Sequence, residues 1–379
     1  MLSTLVQQAQ KPVTQEKPPV KTRFGYIAKE CVKSLQTVLT ETGAVASGKA
    51  LHYSADLLCS GGFEIWIRLI WSFVFQNIHV SSLRIFVYLQ QRTKDLEDRL
   101  NALDQEEVYK STEFQHRASE TILVIQTLPR QSKIVWPKVS EETHDPVWLQ
   151  TVPKPRESDA VSKVWISEHD HAIMKFAANN ILASCEEVNV QKALFWLKWL
   201  LDEDKLVRLK HKGAITLTTN RRAGSGAGKP DKGEIGYFVA AVLAEAYKDL
   251  ARRGLIRMHE EFQILIDLWR GKQARLSSKQ KQECLALMIL VIAEVPRWKV
   301  PAAQPLIKDP TLMSRAVQQS SKFFQEVLSK VPVQSILPKD IVQTVAKRKA
   351  KAKLTDTKVD SSEDKMRLMD QMVMAFIER

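Results

Sequence analysis

Along most of the chain, apolar residues recur three and four positions apart, the spacing that gathers them on one stripe of an α-helix. In the segment that starts at Lys192, Leu194, Leu197, Leu200 and Leu201 share a stripe, with Trp196 and Trp199 beside it. The segment that starts at Lys49 sets Leu51, Ala55 and Leu58 on a matching stripe, flanked by Leu57. A helix from about Thr112 to Leu128 carries Ala118, Ile122 and Ile125. It is expected to stop at Pro129, whose ring and missing N–H oppose continuation. A helix from about Ser278 to Val295 is expected to stop at Pro296 for the same reason. Helix-forming runs from Phe24 and from Ser167 precede the Lys49 and Lys192 helices, and Ser167 with Asp170 reads as a variant capping box at the second start.

Three stretches of the first half return in the second, in the same order. "KALHYSADLL" from Lys49 matches "KALFWLKWLL" from Lys192, "EIWIRLIW" from Glu64 matches "EIGYFVAA" from Glu234, and "ILVIQTLPR" from Ile122 matches "ILVIAEVPR" from Ile289. The offsets are 143, 170 and 167 residues, so the second half holds an insertion between its Leu-Leu pair and Glu234. Repeats of this kind point to one structural unit used twice. The expected fold is all-α: tandem five-helix bundles over 24–130 and 166–298, the second interrupted by a basic, Gly-rich insertion at 205–233.

Residues 131–165 contain Pro137, Pro146, Pro153 and Pro155 and cannot be one continuous helix. Their Trp136, Val147, Trp148 and Leu149 predict an extended strap laid on a surface. Residues 1–23 read as a flexible arm, 299–340 as a segment with one additional helix from about Thr311 to Lys330, and 341–365 as a basic, disordered tail. At 366–379, Met366, Met369, Val373 and Phe376 fall on one stripe of a short amphipathic helix suited to docking in a partner's groove or back on its own chain.

The most apolar stretch, Gly61–Gln91, is broken by Gln76, Asn77 and His79, and its charge-free run falls short of the about 20 residues of a membrane span. Two core helices are expected there, with Ser81-Ser82 as the break and as the N-cap of the second. A membrane partner is not expected. The first residues lack the basic-then-apolar order of a secretory signal, and the first arginine is Arg23, unlike an Arg-rich transit peptide. Cys31, Cys59, Cys185 and Cys284 lie far apart without ligand spacing and read as reduced, mostly buried thiols of an intracellular protein, with no zinc site.

A formal charge of +13 suits an anionic partner (nucleic acid, an acidic protein face or a membrane surface) and equally a soluble surface that is simply basic. Two segments concentrate it. Lys205, Arg208, Lys210, Lys212, Arg221, Arg222, Lys229 and Lys232 stand in the insertion against Asp231, and Lys347, Arg348, Lys349, Lys351 and Lys353 stand in the tail. Either could contact phosphates without sequence preference; either could also be a solvated basic run.

Two stretches imitate chemistry. "GSGAGKP" at Gly224–Pro230 follows the β-like run "AITLTT", but its spacing is one residue short of a phosphate loop, and Pro230 replaces the hydroxyl that would hold magnesium. In "SEHDH" at Ser167–His171, helical geometry would turn His169 and His171 about 200° apart, too far to share a metal. No catalytic residue, metal ligand or cofactor is expected.

"KALHYSADLLCSGGFEIWIRLIWSF", Lys49–Phe73, resembles the start of the C-terminal helical domain of clamp-loader-type AAA+ ATPases, the bacterial RarA/eukaryotic Werner-interacting group. Ala50, Leu51, Tyr53, Leu57, Leu58, Gly61, Gly62 and Arg68 hold the corresponding places, and "KALFWLKWLLDED" looks like the same helix again. "FQNIHV" stands where that family carries an acidic stretch, and the ATPase module is missing. The resemblance implies an oligomerisation collar: assembly with other subunits, not hydrolysis. The chain also resembles helical proteins of large DNA viruses. The expected function is a non-catalytic interaction protein in a nucleic-acid-associated complex of the nucleus or cytoplasm. The alternative is a minor capsid or scaffold component of a virion or viral factory, and the third class is an enzyme with a convergent site.

Overall fold

The computed structural model describes residues 19–212, 216–218, 235–256, 260–270, 276–298, 305–332 and 336. Among these residues the chain is all-α, with isolated β-bridges in place of strands. The first half contains α1 (Ala28–Thr40), α2 (Ala44–Cys59), α3 (Phe63–Asn77), α4 (Ile85–Ala102), the single-turn α5 (Gln105–Lys110) and α6 (Thr112–Thr127). The short helices α7 (Pro146–Thr151) and α8 (Asp159–Val164) lie in the joining segment. The second half contains α9 (Ala172–Glu186), α10 (Val190–Lys210), α11 (Ile235–Arg252), α12 (Glu260–Trp269) and α13 (Ser278–Trp298), and α14 (Pro310–Leu328) follows.

Local sequence accounts for most of these helices. α1 buries Ala28, Cys31, Val32, Leu35, Val38 and Leu39, a stripe at helical spacing, against α2. α10 starts where Asn189 Oδ1 accepts the Lys192 N–H at 3.0 Å, and α14 where Asp309 Oδ1 accepts the Leu312 N–H at 2.9 Å. Each satisfies an N–H that a helix start leaves unpaired. In both halves the first two helices pack on each other, the second packs on the last (α2 on α6, α10 on α13), and the fourth packs on the last (α4 on α6, α12 on α13). The first half, however, has six helices where five were expected, the short α5 being the addition.

The halves are joined through α13. Cys284, Leu285, Ala286, Leu287, Met288, Ile289, Val291 and Ala293 are all buried, leaving no wet face along that stretch. A helix apolar on every side belongs inside a protein. α13 touches α9, α10, α11 and α12 of its own half and also α3 and the turn at Val80–Ser82 of the other. The apolar run of α3 is thereby explained: Trp66, Ile70, Trp71, Val74 and Phe75 are buried against protein. No helix among the described residues is long and apolar enough to cross a membrane. All four cysteines are buried, unpaired thiols, and burial pushes those of Cys59 and Cys185 up to about 12.

Several expectations need correction. α13 does not stop before Pro296 but runs through it to Trp298. Ser81-Ser82 does break the chain, but α4 begins at Ile85 without a side-chain cap. Ser167 does not cap α9. The helix starts at Ala172, capped by His171 Nδ1 accepting the Ile173 N–H, while Asp170 is drawn away by Thr218 Oγ1 at 2.7 Å. The joining segment is not wholly extended, since α8 buries Ala160, Val161 and Val164 and packs on α11. The end of the N-terminal arm is folded: Arg23 is buried and tied to the end of α14.

One close approach tests the packing of the second half. A Cβ on Gly236 of α11 would overlap the indole of Trp269 on α12, whose ring also meets Tyr237 edge-on at 4.6 Å. Gly236→Ala is expected to lower stability by about 1–3 kcal/mol, the usual range for overpacking. A thermal melt checks it, and an unchanged midpoint would contradict the α11–α12 contact.

Candidate nucleic-acid interface

The basic residues singled out in the sequence begin on α10, not in a loop, since the helix runs to Lys210, about a turn and a half past the expected start of the insertion at 205. α10 buries Ala193, Leu194, Trp196, Leu197, Trp199 and Leu200; beyond Asp204 Val207 still packs on the core, but Leu206 is 42% and Leu209 68% exposed. Lys205 pairs with Asp202 at 3.0 Å and Arg208 with Asp204 at 2.7 Å. Burial alone would raise the Asp202 carboxyl, but Lys198 and Lys205 outweigh it and hold the group below its ordinary value. These two cations are therefore partly neutralised one turn back along their own helix.

Lys210 and Lys212 are exposed at the helix end, Lys212 in the left-handed conformation with φ 50°. Cations there also suit the negative end of the helix dipole. The chain is then drawn back: Leu217 N–H donates to Asp204 Oδ1 at 3.4 Å, and His171 N–H donates to Leu217 O at 2.9 Å. Lys210 and Lys212 thus stand beside a root anchored to α9 and α10. Of "AITLTT", residues 216–218 contribute an isolated bridge between Asp170 and Thr218. Arg221, Arg222, Lys229 and Lys232, the stretch "GSGAGKP", the tail residues Lys347, Arg348, Lys349, Lys351 and Lys353, and the stripe Met366, Met369, Val373 and Phe376 lie outside the described residues.

Other ionisable clusters fasten helices together. Glu283, on α13 and 2% exposed, accepts from Ser72 Oγ at 2.9 Å and Gln76 Nε2 at 2.5 Å, both on α3. Burial raises its carboxyl to about 7 despite Lys279 at 3.7 Å. Between α4 and α6, Arg92 bonds both oxygens of Glu120 at 3.0 and 3.2 Å, and Arg117 meets Asp95 at 2.5 Å. Sequence reading passed over all of these because their partners are distant. Asp56 alone carried a signal, a carboxylate inside the apolar run "SADLLC".

The joining segment behaves as a strap where its aromatic residues land on α10. His144 lies flat on Trp199 with centroids 5.2 Å apart, and its Nδ1 is 2.5 Å from Glu203 Oε2. Trp199 Nε1 donates to Thr143 O at 2.9 Å, and Trp148 packs on Phe195 and Trp196.

No group of three or more His, Cys, Asp and Glu among the described residues is placed to hold a metal ion. Comparison with protein-family models, curated proteins and solved structures returns no match.

Proposed function

We propose that this chain is a non-catalytic helical assembly factor that works on nucleic acid, built on a duplicated helical unit. The observation that carries the reading is the free end of α10, where Lys210 and Lys212 stand exposed and lead into Arg221, Arg222, Lys229 and Lys232. Backbone phosphates are the partner such a cluster suits, since each lysine or arginine near a phosphate releases a condensed counterion. Exposed Leu206 and Leu209 on the same helix end add apolar surface for a neighbouring subunit. The matched helix order of the two halves and the likeness of Lys49–Phe73 to an oligomerisation collar support the assembly role.

Charge reversal at both lysines, Lys210→Glu with Lys212→Glu, tests this. The double variant is expected to weaken binding to labelled duplex and single-stranded DNA alike, at any sequence, and to reduce the salt slope by about one for each lost phosphate contact. Unchanged affinity and slope would remove the end of α10 from the interface.

A further inference from the structure

We infer that the turn at residues 22–27, together with the rings of α2 and α14 around it, is a binding surface for single-stranded nucleic acid. The inference rests on the nucleic-acid reading above and adds a second surface, built on elements other than α10.

The turn is tight and firmly held. Thr22 N–H donates to Tyr26 O at 2.8 Å and Gly25 N–H to Thr22 O at 3.0 Å, with Gly25 at φ 109°, a conformation that other residues rarely adopt. Two buried charged side chains lie beneath it. Asp56, fully buried, accepts the Phe24 N–H at 2.9 Å. Arg23 donates to Glu106 at 2.8 Å, to Leu328 O at 3.0 Å and to Lys330 O at 3.1 Å, while its own N–H meets Ser60 Oγ at 2.8 Å. Burying charge is costly unless every such bond is made. Here that investment fixes the orientation of a surface turn.

What the turn presents is aromatic and cationic. Phe24 and Tyr26 stack at 5.2 Å, and Tyr26 is 36% exposed. His52 meets Phe24 edge-on at 4.6 Å, Tyr53 lies 5.6 Å from Tyr26, and Phe323 lies 6.4 Å from His52. Lys330 Nζ stands 5.3 Å from the Phe24 ring and Lys322 Nζ 5.2 Å from that of Phe323. Exposed Lys21 sits across the bridge to Ile27, and exposed Lys49 lies one helical turn before Tyr53. Glu326 also reaches this face, 3.8 Å from His52, so the phosphate path is expected beside the lysines and away from that carboxylate. An exposed ring held beside lysines suits an unpaired strand: a base stacks on Tyr26, which the half-buried Phe24, Tyr53 and Phe323 back, without sequence preference while the cations follow the backbone. A duplex offers the same phosphates but keeps its bases inside.

The test uses the full chain and fluorescence anisotropy with labelled oligothymidine and a duplex of equal length. Tyr26→Ala is expected to weaken oligothymidine binding about tenfold, within the range for loss of one stacked base, and to leave duplex binding nearly unchanged. Tyr26→Phe, which keeps the ring, should bind as the parent does, and thermal melts of all variants establish folding. If folded Tyr26→Ala holds oligothymidine as tightly as the parent while Lys210→Glu/Lys212→Glu loses it, this surface is overturned and the broader reading stands. If the parent binds neither probe, both fall. If Tyr26→Ala keeps oligothymidine but loses a protein that the parent retains, the surface serves a protein and the inference is wrong.

Discussion

Glu283→Gln is expected to stabilise the protein at alkaline pH and to leave it nearly unchanged in mild acid. The Glu283 carboxyl is raised from an ordinary value of 4.5 to about 7, chiefly by burial between α13 and α3. Between those values the folded chain holds a proton that the unfolded chain has released, so stability must fall as pH rises through that window. The full contribution is present below about 4.5 and is gone above about 7. A shift of this size corresponds to roughly 3 kcal/mol, because above pH 7 the fold carries a charged group that its surroundings solvate poorly. Ser72, Gln76 and Lys279 offset part of that cost but do not remove it. Melting midpoints of parent and variant from pH 5 to pH 8 check this. The difference between the two curves should open with rising pH, and parallel curves would show that Glu283 is not the group titrating at this seam.

The other large effect is expected at Arg23. Its guanidinium joins the turn before α1 to Glu106 on α5 and to the carbonyls of Leu328 and Lys330, positions more than 300 residues away in the chain. Arg23→Met removes those donors and leaves the two carbonyls without them, a loss of about 1–3 kcal/mol, since Glu106 is half exposed and is solvated in the variant. Arg23→Lys should not restore it, since an ammonium lacks the planar fork that serves several acceptors at once. Amide exchange gives the clearest readout. Protection at the end of α14 should fall before protection in α13, because α14 is held to the body by a short stripe, Val317, Ser320, Phe324 and Val327, and by this arginine. Equal protection in parent and variant would mean that burial of Phe324 and Val327 suffices to dock the helix.

What could be read in the sequence was periodic and local. The stripes of α2, α6, α10 and α14 gave those helices, and polar interruptions at Gln76, Asn77 and His79 divided the apolar stretch into α3 and α4. Competition over distance was not legible. Ser167 and Asp170 had the chemistry of a cap, but Thr218 took the carboxylate and His171 took the capping position. Pro296 looked like a stop because its ring and missing N–H oppose continuation, yet α13 carries on to Trp298. Arg23 looked like one more polar residue of a flexible arm because its partners Glu106, Leu328 and Lys330 lie far along the chain.

The candidate interface was legible in part for the same reason. Counting basic residues from 205 onward found the cluster, yet it began the tally just past Asp202 and Asp204, the acids that pair with Lys205 and Arg208 from one turn earlier. Charge counts along a helix need a window that reaches four residues upstream. The aromatic turn at 22–27 left no periodic trace, since its rings come from three separate elements.

The proposed role on nucleic acid is tested most directly by titrating the full chain with labelled single-stranded and duplex DNA across a range of salt. If about four phosphates are neutralised, affinity should fall about a hundredfold between 50 and 200 mM monovalent salt, along a straight line of log K against log salt. Absence of binding at the lowest salt, or an affinity that does not change across the range, would contradict it.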